Sequence, residues 1–288
     1  MNKWKNWPIK IIKKIDFPRQ LKEIKNCPDK LFYRGSWDNN IFTKSLAVVG
    51  SRRMSRYGKE VIAKFMPELI ANKICIISGF MYGVDTESHL KCLEFGGKTV
   101  AVLGGGLDIL TPPENDNLYS QILGAGGLVI SEYKPDFQPT LWSFPQRNRI
   151  VAGLSSLGVL VIEAGIKSGS LITARMGREQ GKNVYAIPGQ INNSIAEGTN
   201  YLIKNDLAKM TLSTEEIIGS HKILQENFFE SLNPLENEII KFLKIESLSV
   251  DELSKKLGKS VIETGIKIGM MSLQNIIFEE NGKIYLKN

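Results

Sequence analysis

FPQRNRIVAGLSSLGVLVIEAGIKSGSLITARMGR, residues 144–178, strings together a basic segment, a short apolar run and a loop of small residues. The run Gly158-Val-Leu-Val-Ile162 is β-branched and nearly all apolar, as expected of a strand buried on both faces of a parallel sheet. The loop Gly165-Ile-Lys-Ser-Gly-Ser170 then leads into a stretch of helical period, Leu171 to Gln180. Ser168 and Ser170 therefore fall near a helix N-terminus, where unpaired N–H groups and the helix dipole attract anions. The pattern is that of a phosphate cradle. Lys167 supplies positive charge in the loop, and Arg147 and Arg149 supply more if the preceding segment turns back toward the strand's carboxyl end.

The same strand, glycine loop and helix unit recurs on the N-terminal side of this stretch. Leu46 to Gly50 reads as a buried strand with a glycine turn, followed by Ser51-Arg52 and an amphipathic helix from Lys59 to Asn72. Further strands are predicted over Ile74–Ser78, Thr99–Leu103 and Leu128–Ser131, and beyond the central strand over Asn183–Ile187. Strands alternating with helices and closed by glycine-bearing loops specify an α/β fold with a doubly wound, Rossmann-like sheet, its ligands outside the strands' carboxyl ends. Before it, Asp16–Ile24 and Pro28–Gly35 suggest a short helix and a short strand, too little for a separate globular domain.

Charge is unevenly placed. The chain has 288 residues and a net charge of +7, and residues 1–45 alone hold eleven Lys and Arg against four Asp and Glu. This points to a polyanionic partner or to a lysine-rich, solvated N-terminus. Between 46 and 220 the signs nearly balance, so an anion site there must come from local clustering. No apolar run is long enough to span a membrane and the start lacks a signal-peptide core, so a cytoplasmic protein is expected. Cys27, Cys75 and Cys92 have no CxxC spacing and the histidines are His89 and His221, which indicates neither a disulfide framework nor a metal site.

Three apparent motifs lead elsewhere. Gly96-Gly-Lys-Thr99 resembles the end of a P-loop but runs into a strand, and the first glycine of that motif would fall at Cys92. The first turn lacks the GxGxxG spacing, and the second strand ends in Ser78-Gly79 without a ribose-binding acid, so no dinucleotide cofactor is expected. Asp85 and His89, four residues apart on one helical face, suggest a structural Asp–His hydrogen bond in preference to a catalytic pair.

Taken together, Ala47-Val-Val-Gly-Ser-Arg52, Ile77-Ser-Gly79 with Gly83-Val-Asp85, Gly97 to Gly104, Phe144-Pro-Gln-Arg-Asn-Arg-Ile150 and Lys167-Ser-Gly-Ser170 resemble the DNA-processing protein A family, DprA, also called Smf. Pro188-Gly189 and Gly198-Thr-Asn200 continue the match, which spans about Asp16 to Ala208. The resemblance implies an extended Rossmann domain that binds single-stranded DNA without catalysis or cofactor, usually as a homodimer. It also implies protection of incoming strands in natural transformation and loading of RecA recombinase onto them. By the same resemblance the DNA site comprises Ser51 and Arg52 of the first turn, Phe144, Arg147, Asn148 and Arg149, and Lys167, Ser168, Gly169 and Ser170.

Guanidinium forks and backbone amides suit phosphate oxygens, and Phe144 offers a face for a base. The competing possibility is that Arg147 and Arg149 pair with the sheet-end acids Glu132 and Glu163, Phe144 is core, and the serines only cap a helix. Tyr82 stands where the family commonly has an arginine, Lys204-Asn-Asp-Leu-Ala208 replaces a Gly-Ala ending, and the N-terminal helical domain of many members is reduced to a basic stretch. A different class of function is a nucleotide phosphoribohydrolase of the lysine-decarboxylase-like family. Its Pro-Gly-Gly-x-Gly-Thr loop is replaced here by Glu163-Ala-Gly165 and Ser168-Gly-Ser170.

The expected organisation is a basic N-terminal extension over 1–44, the Rossmann-like domain over 45–218, a linker over 219–233 and a small winged-helix domain over 234–288. The last rests on three helical stretches and a hairpin around Asn281-Gly282. That module has no arginine, and its third helix carries only Lys267 with Lys259 just before it, so a protein-contact or autoinhibitory role is favoured over DNA reading.

Overall fold

The structure, a computed structural model, describes residues 3–219, 234–273 and 276–286. It divides into two compact units that part at Gly219. The expected linker lies, apart from Gly219, outside the described residues.

Among the described residues of the first unit, nine strands form one sheet: β1 (Lys10–Lys13), β2 (Lys30–Gly35), β3 (Ser45–Val49), β4 (Cys75–Ser78), β5 (Thr99–Val102), β6 (Leu128–Ser131), β7 (Gly158–Val161), β8 (Val184–Ala186) and β9 (Lys209–Met210). Their order across the sheet is β1-β2-β6-β5-β4-β3-β7-β8-β9. From β6 to β9 every pairing is parallel, while β2 runs antiparallel to β6 and β1 antiparallel to β2. The chain winds outward from β3 to β6 and then returns to place β7 on the other side of β3. The β3–β7 boundary is therefore the topological switch point, where loops diverge and leave a crevice.

Two-residue alternation sorts the core. Ala47 and Val49 of β3 join Val159 and Val161 of β7 on one face, and Leu46 and Val48 join Leu160 and Ile162 on the other. The first face is covered by α1 (Arg19–Lys22), α5 (Ser143–Leu154), α6 (Gly169–Glu179) and α7 (Glu197–Lys204). The second is covered by α2 (Arg56–Ala71), α3 (Val84–Glu94) and α4 (Asp116–Gly124). A short helix, α8 (Glu215–Ile218), ends the unit. Burial on both faces is why these strands read as continuous apolar runs, and each buried Val, Leu or Ile contributes roughly 1.5–3 kcal/mol. Among the described residues no helix is long and apolar enough to cross a membrane.

The described residues before β3 contribute β1 and β2 to this sheet and pack against it, so they are not an extension beside it. Trp4 is fully buried and stacks on Tyr119 at 4.6 Å between ring centroids, and its Nε1 donates to Asp116 at 2.7 Å. Phe17, Leu21, Leu31 and Phe32 are buried, so the segment completes the core that β6 would otherwise expose. On edge strand β1 only Ile12 points inward, and the exposed Lys10 and Lys13 discourage pairing with a further strand.

Among the described residues of the second unit there are three helices, α9 (Pro234–Leu243), α10 (Val250–Leu257) and α11 (Val261–Leu273), then a hairpin of β10 (Ile277–Glu280) and β11 (Lys283–Leu286). A capping box between Ser249 and Glu252 starts α10, and Gly258 in the left-handed region ends it. Asn281 and Gly282 have φ of 51° and 74°, the positive pair that a tight hairpin turn needs. Its own core includes Ile239, Leu253, Ile268, Met271 and Ile284. Lys267 is paired with Glu236 at 3.0 Å and Lys259 with Glu263 at 3.3 Å, so both cations singled out in the sequence are tied to acids.

Candidate functional site

At the switch point a cleft of about 570 Å³ opens between the turn after β3, the loop after β4, the start of α5 and the loop from β7 into α6. Of the ten residues expected at the site, nine line it: Ser51, Arg52, Phe144, Arg147, Asn148, Lys167, Ser168, Gly169 and Ser170. Segments more than a hundred residues apart in sequence are brought together here because β3 and β7 are sheet neighbours.

The turn after β3 is pinned at Ser51. Its N–H donates to Glu163 O at 2.7 Å, its carbonyl accepts from Val84 N at 3.2 Å, and its hydroxyl accepts from Arg53 N at 3.0 Å. Gly83, at φ 72°, makes the close approach to Ser51 possible, since a Cβ there would sit 2.3 Å from Ser51 O. Pinned in this way, the turn leaves Arg52 and Arg53 exposed on the cleft wall. Opposite, Ser168 caps α6 by accepting from Ser170 N at 3.3 Å, and its hydroxyl also bonds that of Ser170 at 2.7 Å. The cap occupies one N–H and leaves the end of the helix dipole facing the cleft, with Lys167 exposed beside it. Neither Arg52 nor Lys167 forms an ion pair among the described residues.

The basic segment before β7 is not a returning loop but the helix α5, with Pro145 in its first turn, where a missing N–H costs no helical bond. This arrangement separates the two arginines. Arg147, 3% exposed, reaches down under the cleft and donates to the carbonyls of Gly79 and Val102. Burial pulls its pKa down to about 10, while the neighbouring Asp85 favours its charge. Asp85 is itself pushed up by burial and drawn back by Arg147 and by Met81 N–H, which donates to it at 3.2 Å. Arg149 does not reach the cleft. Its guanidinium is held in two bonds by Glu132 and its Nε donates to Asn26 O at 3.0 Å, so Arg149, expected at the DNA site, stands outside the cleft in an ion pair.

Asn148 bridges the cleft's base, accepting from Arg147 Nε at 3.2 Å and donating to Gly169 O at 3.3 Å. Phe144 is half-buried: Gly104 lies against its ring, where a Cβ would come within 2.6 Å of Cδ1, and Arg52 Cζ stands 5.5 Å from the ring centroid. Glu163 pairs with neither arginine. Its carboxylate, 2% exposed, accepts from Ser55 N at 2.9 Å and from Ser55 Oγ, closing the N-terminus of α2. Gly58 admits it, since a Cβ there would stand 2.4 Å from Oε2.

The expected Asp85–His89 hydrogen bond is also corrected. His89 Nδ1 meets Thr99 Oγ1 at 2.6 Å, and that hydroxyl donates to Ile76 O at 2.7 Å, so Nδ1 carries the imidazole proton. Nε2 is buried without a partner among the described residues, and burial lowers the ring's pKa to about 3. Cleft-lining residues that sequence reasoning left out of the site include Arg53, Asp85, Leu141 and Ile195. Arg53 was legible as the second cation of Ser51-Arg-Arg, whereas Leu141 and Ile195 sit in loops with no periodic signal.

A family model described as DNA recombination-mediator protein A matches residues 9–222. The chain is 44% identical over 203 residues to the DNA processing protein DprA of Streptococcus pneumoniae, with 70% of each chain covered. It is 37% identical over 259 residues to the protein Smf of Escherichia coli, covering 86% of this chain and 68% of that one. In structure it resembles the X-ray structure of Streptococcus pneumoniae DprA, with TM-score 0.68, 39% identity and 75% of each chain covered. It also resembles DNA processing protein A from Helicobacter pylori, described for its single-stranded DNA binding mode, with TM-score 0.66, 29% identity and 76% and 97% covered.

Proposed function

The chain belongs to the DNA recombination-mediator protein A family, DprA or Smf, and on that premise we propose that it binds single-stranded DNA without sequence preference, in the cleft at the β3–β7 switch point. The observation that carries this is that two exposed cations from separate loops, Arg52 and Lys167, line one cleft together with Ser168 and Gly169 at the start of α6. Arg52 and Lys167 neutralise phosphates, Gly169 and Ser170 line the helix end, and Ser51 and Asn148 fix the two walls. Arg147 contributes positive potential from below, offset by Asp85. Phe144 and the apolar rim favour strands whose bases are free of pairing.

The wider role follows from family membership: protection of incoming strands, loading of RecA recombinase onto them during transformation or recombination, and action as a homodimer without catalysis. The second unit, read as a winged helix, serves a protein contact or autoinhibition in preference to DNA reading, because Lys259 and Lys267 are already paired. Tight duplex binding by the full chain that Lys259→Ala with Lys267→Ala abolishes would reverse that assignment.

The test is equilibrium binding of a fluorescent oligothymidine and a matching duplex at two salt concentrations, for the wild type and for Arg52→Ala with Lys167→Ala. Single-strand preference that disappears in the double variant is expected. Equal, weak binding by both proteins would remove DNA from this cleft. Incubation with nucleoside monophosphates addresses the phosphoribohydrolase alternative: released free base would restore it, although Glu163 is committed to the α2 N-terminus.

A further inference from the structure

Resting on the single-strand assignment, we propose that Trp142 is a base-stacking platform at the mouth of the cleft, and that the strand leaves the phosphate site across it. The indole is 54% exposed and belongs to the residue immediately before α5. It is not a loose surface side chain. Tyr133 and Phe137 stack on each other at 4.4 Å, and Trp142 stands edge-on to both, 5.9 and 6.0 Å away between centroids. Two half-buried rings thus fix the indole plane, so a ligand that stacks on it freezes little side-chain motion.

Its neighbour Leu141, 93% exposed, lines the cleft itself, so the aromatic cluster is continuous with the phosphate site. Ile195 faces the same cleft. A basic site bordered by exposed apolar and aromatic side chains matches a ligand that alternates anionic and flat apolar groups, which is the chemistry of an unpaired polynucleotide. Phe144 is the less available ring, with Gly104 against it and the Arg52 guanidinium 5.5 Å from its centroid. Trp142, 54% exposed, is the more accessible ring. The occupant is therefore a nucleobase one or a few nucleotides from the phosphate held by Arg52 and Lys167.

The experiment compares oligothymidine with an abasic oligonucleotide of equal length, which offers phosphates and no bases, on the full chain. Trp142→Ala is expected to weaken oligothymidine binding roughly 5- to 150-fold and to leave abasic binding unchanged. Trp142→Phe, which keeps a flat ring, is expected to retain most of the affinity. The Trp142 side chain makes no cap bond to α5, so the substitution leaves the helix start as it is. Trp4 is fully buried and Trp7 and Trp37 are half-buried, so tryptophan quenching on binding is expected for the wild type and absent in Trp142→Phe.

Unchanged oligothymidine binding by Trp142→Ala, an equal loss on both ligands, or quenching that persists in Trp142→Phe would each overturn the platform. Arg52→Ala with Lys167→Ala separates the two proposals, since it should weaken both ligands. If it weakens neither while Trp142→Ala weakens oligothymidine, the phosphate assignment falls and the platform stands. If the wild type binds neither ligand, both fall.

Discussion

The Glu132 carboxylate takes both terminal nitrogens of Arg149, Nη1 on Oε2 at 2.9 Å and Nη2 on Oε1 at 2.6 Å. Nη1 also donates to Gln146 O at 3.0 Å and Nε to Asn26 O, so the guanidinium joins the end of β6, the α5 helix and the segment after α1. Removing one partner of a largely buried pair leaves the other uncompensated. Arg149→Ala is expected to cost about 3 kcal/mol in urea denaturation, the low end for such a pair because Glu132 is partly exposed. Its oligothymidine affinity should stay near that of the wild type. A stable variant that no longer binds would place Arg149 on the DNA.

Arg52 and Lys167 should behave in the opposite way. Both are exposed, so their alanine variants should unfold at the wild-type denaturant midpoint. For every phosphate left without its cation, the slope of log affinity against log salt should flatten by about 0.7 for a single strand. Titrations of the single and double variants over several salt concentrations give the number of phosphates that the two side chains neutralise, and an unchanged slope would show that neither residue meets a phosphate.

Gly83 carries the turn that presents Arg52. An added methyl at φ 72° is strained, and it would stand 2.3 Å from Ser51 O and 2.7 Å from Arg52 O, both backbone atoms that cannot rotate away. Gly83→Ala is expected to cost on the order of 1–3 kcal/mol of stability and also to weaken oligothymidine binding at temperatures where the variant remains folded. Full affinity in the folded variant would disconnect the turn from the site.

His89 gives stability a pH dependence of defined sign. Its pKa falls from 6.5 to about 3 because its burial penalises the charged ring. Between those values the unfolded chain binds the proton and the native chain does not, so this contribution is complete above pH 6.5 and is lost as pH falls toward 3. The slope is at most about 1.4 kcal/mol per pH unit. Asp85, raised by burial, acts in the opposite sense above its ordinary value, so the measurement is a difference. Urea denaturation at pH 7, 6 and 5 should show a steeper acid loss for the wild type than for His89→Gln, and parallel losses would contradict the buried neutral ring.

The strands around the site were legible because burial on both faces writes itself as short apolar runs, and Leu46–Val49, Leu128–Ser131 and Val159–Val161 fall within the predicted segments. The Ser168 cap was legible for a similar reason, since it depends on neighbours one or two residues away. Less could be read from the first 44 residues, whose lysines mask the inward-facing Ile12, Leu31 and Phe32 that complete the sheet. His89 was assigned to Asp85 by helical spacing, yet its ring turns to Thr99 on β5, a partner that no local spacing reveals.

What the sequence by itself determined is the order of strand, glycine turn and helix, and with it the identity of the loops that end at the carboxyl edge, because those signals act over a few residues. Which cations serve the cleft was decided only by tertiary structure. Once 143–154 is a helix, Arg147 and Arg149 lie about 200° apart around its axis and cannot face the same way. One goes beneath the cleft to the carbonyls of Gly79 and Val102, and the other goes to Glu132, while Arg52 and Lys167 line one cleft because β3 and β7 are adjacent.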